Sequence, residues 1–231
     1  MLSRMFNALR SLDWAILLSV LFLFCFGLAA IYSVELSTET QRFTFFRKQL
    51  IAFAIAIPIM LVVITSNYLQ LRNYARLLYL VGVVLLVLVL IFGANIRGTR
   101  GWFNFGSFSF QPVEFMKIAL IVAYARYFGE HARRQFGWKE IFGSGLLMAI
   151  PVGLVALQPD LGSASILVGI WGFCLLFAGI RWIHIAVITI LGAMAAAFYW
   201  MFLISEYQIS RIQVFLNPAL DPLGESYNIT Q

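Results

Sequence analysis

Two clusters of charged and amide side chains interrupt an otherwise apolar chain. The first is the stretch RGTRGWFNFGSFSFQPVEFMK, in which an arginine- and glycine-rich loop runs into an apolar helix that would carry Glu114 and Lys117 in its first turns. The second is Gln158-Pro159-Asp160, two apolar segments further along the chain. Because charged groups at membrane depth are costly, residues of this kind predict a functional site.

Each of the two acids has a structural interpretation beside a functional one. Glu114 could stabilise the positive end of its helix and pair with Lys117 at i+3, and Asp160 could cap the helix that follows it. In the functional interpretation both carboxylates face one outward-opening cavity together with Lys117. Such a cavity could tune a proton acceptor by placing like charges together, or hold a divalent cation such as Mg²⁺ or Mn²⁺.

Four basic residues would surround the mouth of this cavity. Arginine matches phosphate oxygens bidentately, and the glycines at positions 98 and 101 would let backbone N–H groups approach the same ligand. We therefore expect a lipid-linked diphosphate to bind there, with anchoring to lipid headgroups as the alternative. Trp102 could stack on a sugar or belong to the aromatic belt of the membrane interface. The four basic residues are Arg47, Lys48, Arg97 and Arg100.

The composition predicts an all-α integral membrane protein, a polytopic bundle of helices. Apolar residues make up 62% of the 231 residues and charged residues only 11%, whereas soluble domains average about 45–50% and about 25%. The apolar runs are continuous rather than alternating, which favours helices over a barrel. Seven transmembrane segments are predicted at Trp14–Ser33, Gln49–Thr65, Ala75–Phe92, Pro112–Phe128, Ile141–Leu157, Leu161–Gly179 and Ile183–Ile204.

The distribution of lysine and arginine predicts a cytoplasmic amino terminus. With that orientation nine of the 16 basic residues lie on the cytoplasmic side and six on the outer side, and Lys117 lies within a segment. This is the bias of the positive-inside rule, and it indicates anionic lipid rather than nucleic acid as the partner of the basic surface. Residues 205–231 would then begin a large extracytoplasmic loop within a single membrane domain covering residues 1–231.

Three ordered motifs resemble the SEDS family of bacterial cell-wall polymerases (shape, elongation, division, sporulation). They are R-G-x-R-x-W-x-x-x-G-x-x-x-x-Q-P-x-E-x-x-K, Q-P-D-L-G and R-I-x-x-F-L-x-P-x-x-D-P-L-G-x-x-Y-x-x-x-Q, and together they extend over nearly the whole chain. The residues of the last motif and the Leu12-Asp13-Trp14 sequence near the amino terminus resemble the family members that act in elongation more than those that act in division.

The resemblance implies a peptidoglycan glycosyltransferase of the bacterial inner membrane that elongates glycan strands from lipid II. Its implied partners are a class B penicillin-binding protein, which cross-links the new strand, and other membrane proteins of the elongation complex. The residues that match positions of the family's central cavity are Trp102, Gln111, Glu114, Lys117 and Asp160, and Arg47 or Lys48 and Arg211 match less closely.

One departure from the family pattern carries an expectation of its own. Family members resemble ten-helix proteins, and the aspartate most often assigned as catalytic lies in a Thr-Asp-Phe motif that does not occur in this sequence. We therefore expect a chain truncated at its carboxy terminus and the main catalytic aspartate beyond residue 231. Two alternatives to a polymerase stay open: a flippase for lipid-linked cell-wall precursors, and a non-catalytic membrane scaffold.

Overall fold

Seven helices and one small sheet form the part of the chain that the computed structural model describes, residues 12–37, 43–65, 67–96, 98–106, 108–131, 136–202 and 209. Each predicted apolar segment coincides with most of one helix. The elements in chain order are α1 (Trp14–Leu36), α2 (Thr44–Thr65), α3 (Tyr68–Phe92), β1 (Ala94–Ile96), β2 (Thr99–Phe105), β3 (Phe108–Phe110), α4 (Pro112–His131), α5 (Trp138–Ala156), α6 (Leu161–Phe177) and α7 (Trp182–Phe202).

Five of these helices are long and apolar enough to cross a membrane: α1, α2, α3 from Leu69, α5 and α7. Helix α2 begins at Thr44, five residues before the predicted start, and its 22 residues therefore meet the length that a bilayer requires. Helix α6 has only 17 residues. Helix α4 has 20 residues but carries two acids and two basic side chains, which lower its hydropathy.

The described chain divides into two compact units, Met1–Leu71 and Arg72–Gln231. In the first unit, a carboxylate at the end of α1 fixes the start of α2. Glu35 is only 8% exposed and accepts hydrogen bonds from the backbone N–H groups of Phe45 at 2.7 Å and Phe46 at 3.0 Å. These N–H groups have no partner within their own helix, so Glu35 supplies the cap that the sequence before α2 lacks. The Tyr32 ring also stacks on Phe43, with the ring centroids 5.4 Å apart.

Helix α4 forms the centre of the second unit. Met116, Leu120 and Tyr124 of this helix are fully buried, and they pack with Leu86 of α3 and Leu167 of α6 in one apolar cluster. The helix therefore lies among protein side chains over much of its surface. This surrounding explains why the least apolar of the long helices occupies the core of the unit.

Three tyrosine hydroxyl groups donate to successive backbone carbonyl groups along α5. Tyr127 and Tyr124 of α4 donate to the carbonyl oxygens of Glu140 and Ser144, each at 3.1 Å. Tyr79 of α3 donates to the carbonyl oxygen of Leu147 at 2.9 Å. The three acceptors lie three and four residues apart, so they form one stripe on the helix. This stripe holds α3 and α4 against α5.

The third of these bonds satisfies a carbonyl group that α5 itself cannot. In an α-helix the carbonyl of Leu147 would accept from the N–H of residue 151, but that residue is Pro151 and has no N–H. An unsatisfied carbonyl is costly in a membrane helix. The Tyr79 hydroxyl therefore replaces the missing donor, and Pro151 is accommodated within α5 without leaving this oxygen unpaired.

The loop between α3 and α4 folds into a three-stranded antiparallel sheet with the order β1-β2-β3, which the sequence analysis did not predict. Phe103 pairs with Phe110 and Phe105 with Phe108 in the register of β2 and β3. Directly opposed residues share a face of a sheet, so these four phenylalanines lie on one face of the hairpin. Phe105 and Phe108 are the most exposed of them.

The single-domain prediction for residues 1–231 stays a prediction, and residues 205–208 and 210–231 lie outside the described residues.

The bond between Tyr79 and Leu147 generates a stability prediction. We expect Tyr79→Phe to lower the free energy of unfolding by about 1 kcal/mol, in the range measured for hydrogen bonds between membrane helices. Tyr127→Phe is the matched control and should cost less, because its acceptor at Glu140 also receives the helical N–H of Ser144. Unfolding in a detergent titration measures both. A Tyr79→Phe cost that stays the same in a Pro151→Ala background, where the N–H is restored, would contradict the assignment.

Candidate functional site

The two Gln-Pro-acid clusters meet at the end of the second unit where α4 and α6 begin. The side-chain amide of Gln111 donates to Oδ2 of Asp160 at 3.4 Å, which joins the start of α4 to the turn before α6. Strand β2 crosses the same place: a Cβ atom at Gly101 would lie 3.3 Å from Oε1 of Gln158 and 3.9 Å from Nε2 of Gln111. A side chain at position 101 would therefore press against the Gln158 amide. We call Gly101, Gln111, Gln158 and Asp160 the polar junction.

Asp160 both caps a helix and takes part in this junction. Its Oδ1 accepts from the backbone N–H of Ser163 at 3.0 Å, and its Oδ2 accepts from the Ser163 hydroxyl at 2.7 Å. The first bond is the N-cap of α6, so the structural interpretation of Asp160 is confirmed. The second bond and the bond from Gln111 lie on the other oxygen. That oxygen therefore faces the junction.

Glu114 and Lys117 form an ion pair at the start of α4. Nζ of Lys117 lies 2.7 Å from Oε1 of Glu114, and the two side chains are 18% and 59% exposed respectively. Helix α4 thus presents a half-buried cation beside a more exposed acid, close in sequence to Gln111 of the junction. The described contacts include no hydrogen bond or ion pair between Glu114 and Asp160. Each carboxylate has its own partners.

The predicted binding residues are divided between the two units. In the second unit Arg100 and Trp102 lie on β2 next to Gly101, Arg100 exposed and Trp102 half-buried, and Trp102 pairs with Ala94 of β1. In the first unit Arg47 and Lys48 lie exposed in the first turns of α2. Arg97 and Arg211 lie outside the described residues. The structure thus brings Arg100, Trp102 and Gln111 to one end of the second unit.

The residues present do not fit the divalent cation that was predicted for Glu114 and Asp160. Mg²⁺ and Mn²⁺ favour several oxygen ligands, yet the described part of the chain contains no group of three His, Cys, Asp or Glu side chains placed to share an ion. Oε1 of Glu114 already binds the Lys117 ammonium group, whose charge opposes a nearby cation. Both oxygens of Asp160 accept from protein donors. The cation stays a prediction, and no step below depends on it.

Two residues of the site were not among the predicted site residues. Gln158 is 1% exposed, and its amide donates to the carbonyl oxygen of Leu86 in α3 at 3.5 Å, so it fixes the turn before α6 against α3. Ser163 is buried and donates to Asp160. A signal was present for this position, because an aspartate at an N-cap accepts from the backbone N–H two or three residues into the helix, and Ser163 is the third. No local pattern indicates that Gln158 is buried.

Comparison with known proteins places this arrangement in a family. The FtsW/RodA/SpoVE family model, described as cell cycle protein, matches residues 13–231. Stage V sporulation protein E of Bacillus subtilis (strain 168) is 32% identical over 226 residues, which cover 95% of this chain and 61% of that protein. The peptidoglycan glycosyltransferase MrdB of Escherichia coli (strain K12) is 34% identical over 224 residues, which cover 95% of this chain and 58% of MrdB.

Solved structures show the same similarity. A chain of a peptidoglycan synthase complex in which polymerization and crosslinking are coordinated superposes with a TM-score of 0.70 at 28% identity, covering 95% of this chain and 63% of that chain. The rod shape determining protein RodA of Thermus thermophilus, in a mutant form, gives a TM-score of 0.67 at 26% identity, covering 84% of this chain and 61% of RodA. The chain therefore spans about three fifths of the length of these relatives.

The two roles of Asp160 can be separated by substitution. We expect Asp160→Ala to lower the free energy of unfolding by about 1 kcal/mol, because it removes the N-cap of α6. Asp160→Asn should cost much less, because an asparagine oxygen accepts the same N–H and caps a helix as well as aspartate does. Thermal unfolding of both purified variants measures the difference. Equal losses in the two variants would show that the negative charge, rather than the cap, provides the stabilisation.

Proposed function

The chain belongs to the FtsW/RodA/SpoVE family of cell cycle proteins, and on this premise we propose that its protein is a peptidoglycan glycosyltransferase that elongates glycan strands from lipid II. The polar junction is the observation that carries the proposal for these residues: two amides, a carboxylate and a closely packed glycine meet at one end of the second unit. The relatives MrdB and FtsW carry the name of this activity. Because the chain spans less than two thirds of them, the proposal concerns the complete protein.

In the proposed reaction a carboxylate removes the proton from the 4-hydroxyl group of the acceptor sugar. The oxygen of that hydroxyl forms a bond to the anomeric carbon of the donor, and the bond from this carbon to the diphosphate oxygen breaks. Undecaprenyl diphosphate leaves with the electron pair. By the family resemblance the main catalytic aspartate belongs to a Thr-Asp-Phe motif that this sequence does not contain, and Asp160 and Glu114 are proposed to assist it.

Lys117 and Arg100 supply the positive charge that the departing diphosphate requires. Lys117 is largely buried and paired with Glu114, so its ammonium group is held in place before the substrate arrives. Arg100 is exposed on β2 and is free to move toward a phosphate. Trp102 on the same strand offers a ring face to a sugar. Lys48, Arg97 and Arg211 stay candidate substrate-binding residues through the family resemblance, with no position in the site assigned to them.

We propose that the protein crosses the bacterial inner membrane with its amino terminus in the cytoplasm, and that α4 and α6 are membrane segments beside the five long apolar helices. The charges of α4 support this proposal because they are paired: Glu114 with Lys117, and Glu130 with Arg126 at 2.9 Å. A pair of opposite charges costs less to bury than two separate charges. The junction then lies on the outer side, where Pro112 begins α4.

The proposed partner is a class B penicillin-binding protein, together with other membrane proteins of the elongation complex. The similarity to a chain of a peptidoglycan synthase complex supports such a partner. A transpeptidase beside the polymerase would cross-link each strand as it emerges.

A strand-synthesis assay with purified lipid II tests the function of the site. We expect Lys117→Gln to reduce the rate of polymerisation about 10²-fold or more, as loss of a charge-stabilising donor does in other enzymes. Asp160→Asn should also reduce the rate while leaving unfolding nearly unchanged. Lys139→Gln is the matched control, since this exposed lysine starts α5 at the other end of the unit, and it should leave the rate unchanged.

Three results would contradict the proposal. Normal rates in both site variants would remove Lys117 and Asp160 from the mechanism. Movement of lipid II across vesicles by the complete protein without any polymer would favour a flippase. A scaffold would instead support partner binding with neither activity, and both site variants would then support growth.

A further inference from the structure

A cavity lies at the opposite end of the second unit from the polar junction. Its volume is about 400 Å³, and it opens between α3, α4 and α5. Its walls are mostly apolar, and they include the rings of Tyr79 and Tyr127, whose hydroxyl groups bind the carbonyl stripe of α5. Gly143 of α5 forms part of the floor, where it leaves room for Tyr127. We call this cavity the inner groove.

The rim of the inner groove carries a net positive charge. Arg76 of α3 and Arg126 of α4 line it with a single acid, Glu130. Arg126 is fixed: its Nε lies 2.9 Å from Oε1 of Glu130 and its Nη1 donates to the carbonyl oxygen of Arg72 at 3.2 Å. Arg76 is exposed and has no ion-pair partner among the described residues. One positive charge is therefore left uncompensated at the edge of an apolar groove.

We propose that the inner groove binds one acidic phospholipid of the cytoplasmic leaflet. The apolar walls and tyrosine rings would contact an acyl chain, and the Arg76 guanidinium group would bind the phosphate through paired N–H donors. A phosphodiester with one negative charge matches the net charge of the rim. The positive-inside rule assigns this end of the unit to the cytoplasmic side, where anionic lipids attract basic residues. The proposal is independent of the polymerase activity.

Native mass spectrometry of the complete protein in detergent tests this site. We expect dioleoyl phosphatidylglycerol to bind about fivefold more tightly than dioleoyl phosphatidylcholine, which corresponds to one arginine near a lipid phosphate. Arg76→Gln should abolish this preference, and Arg76→Lys should retain only part of it, because lysine keeps the charge but not the paired donors. Lys139→Gln, a basic residue near the same end that does not line the groove, is the matched control and should leave the preference unchanged.

Two further measurements distinguish lipid binding in the inner groove from general attraction to a basic surface. Leu80→Trp fills the groove without changing its charge and should weaken phosphatidylglycerol binding, whereas glycerol phosphate alone should not compete. The proposal is overturned if the wild-type protein binds phosphatidylglycerol no more tightly than phosphatidylcholine. That result is expected if another protein segment fills the groove. It is also overturned if Lys139→Gln matches Arg76→Gln, if Leu80→Trp binds normally, or if glycerol phosphate displaces the lipid.

Discussion

Backbone groups that a helix leaves unpaired need a side-chain partner before that helix can lie in lipid, and this constraint organises the protein. Glu35 provides acceptors for two N–H groups at the start of α2. Tyr79 provides the donor that Pro151 removes from α5. Asp160 provides an acceptor at the start of α6. Each partner comes from outside the regular pattern of the helix it satisfies, so each of these bonds also fixes the position of a turn or a neighbouring helix.

The constraint explains why a structural and a functional interpretation of the same acid do not exclude one another. A carboxylate has two oxygens, and capping α6 through Ser163 N–H occupies only Oδ1 of Asp160. The cap fixes the direction in which Oδ2 points, and Oδ2 is the oxygen that meets Gln111. A group held by its structural bond loses little conformational freedom when it acts on a substrate. The cap is therefore compatible with the proposed role of Asp160 in the site.

The sequence predicted the helices well because their signal is local. Continuous apolar runs set the number of helices, and the proline and acid at the start of α4 set its first residue at Pro112. The sheet was missed although Phe103, Phe105, Phe108 and Phe110 alternate with polar residues around a Gly-Ser turn. This two-residue period is typical of a hairpin.

The contacts of the site could be predicted only in part. The pair of Glu114 and Lys117 was predicted correctly, because residues three positions apart are neighbours on the surface of a helix. The bond from Gln111 to Asp160 joins residues 49 positions apart, and no local rule specifies such a contact. Pro151 indicates that the carbonyl of Leu147 needs a donor, but the choice of Tyr79 depends on how α3 packs against α5.

Helix α4 connects the two ends of the second unit, and its sequence shows how a polar helix can occupy the core. Its apolar residues Met116, Leu120 and Tyr124 fill the middle of the helix and are fully buried. Its charges lie only near the two ends, where Glu114 and Arg126 each have a partner. Protein covers one face of the middle, and Ile118 and Ile121 on the uncovered face are apolar, so the charges are confined to the two ends. The junction and the inner groove are therefore built on one packed helix, with the polar residues of each confined to its own end.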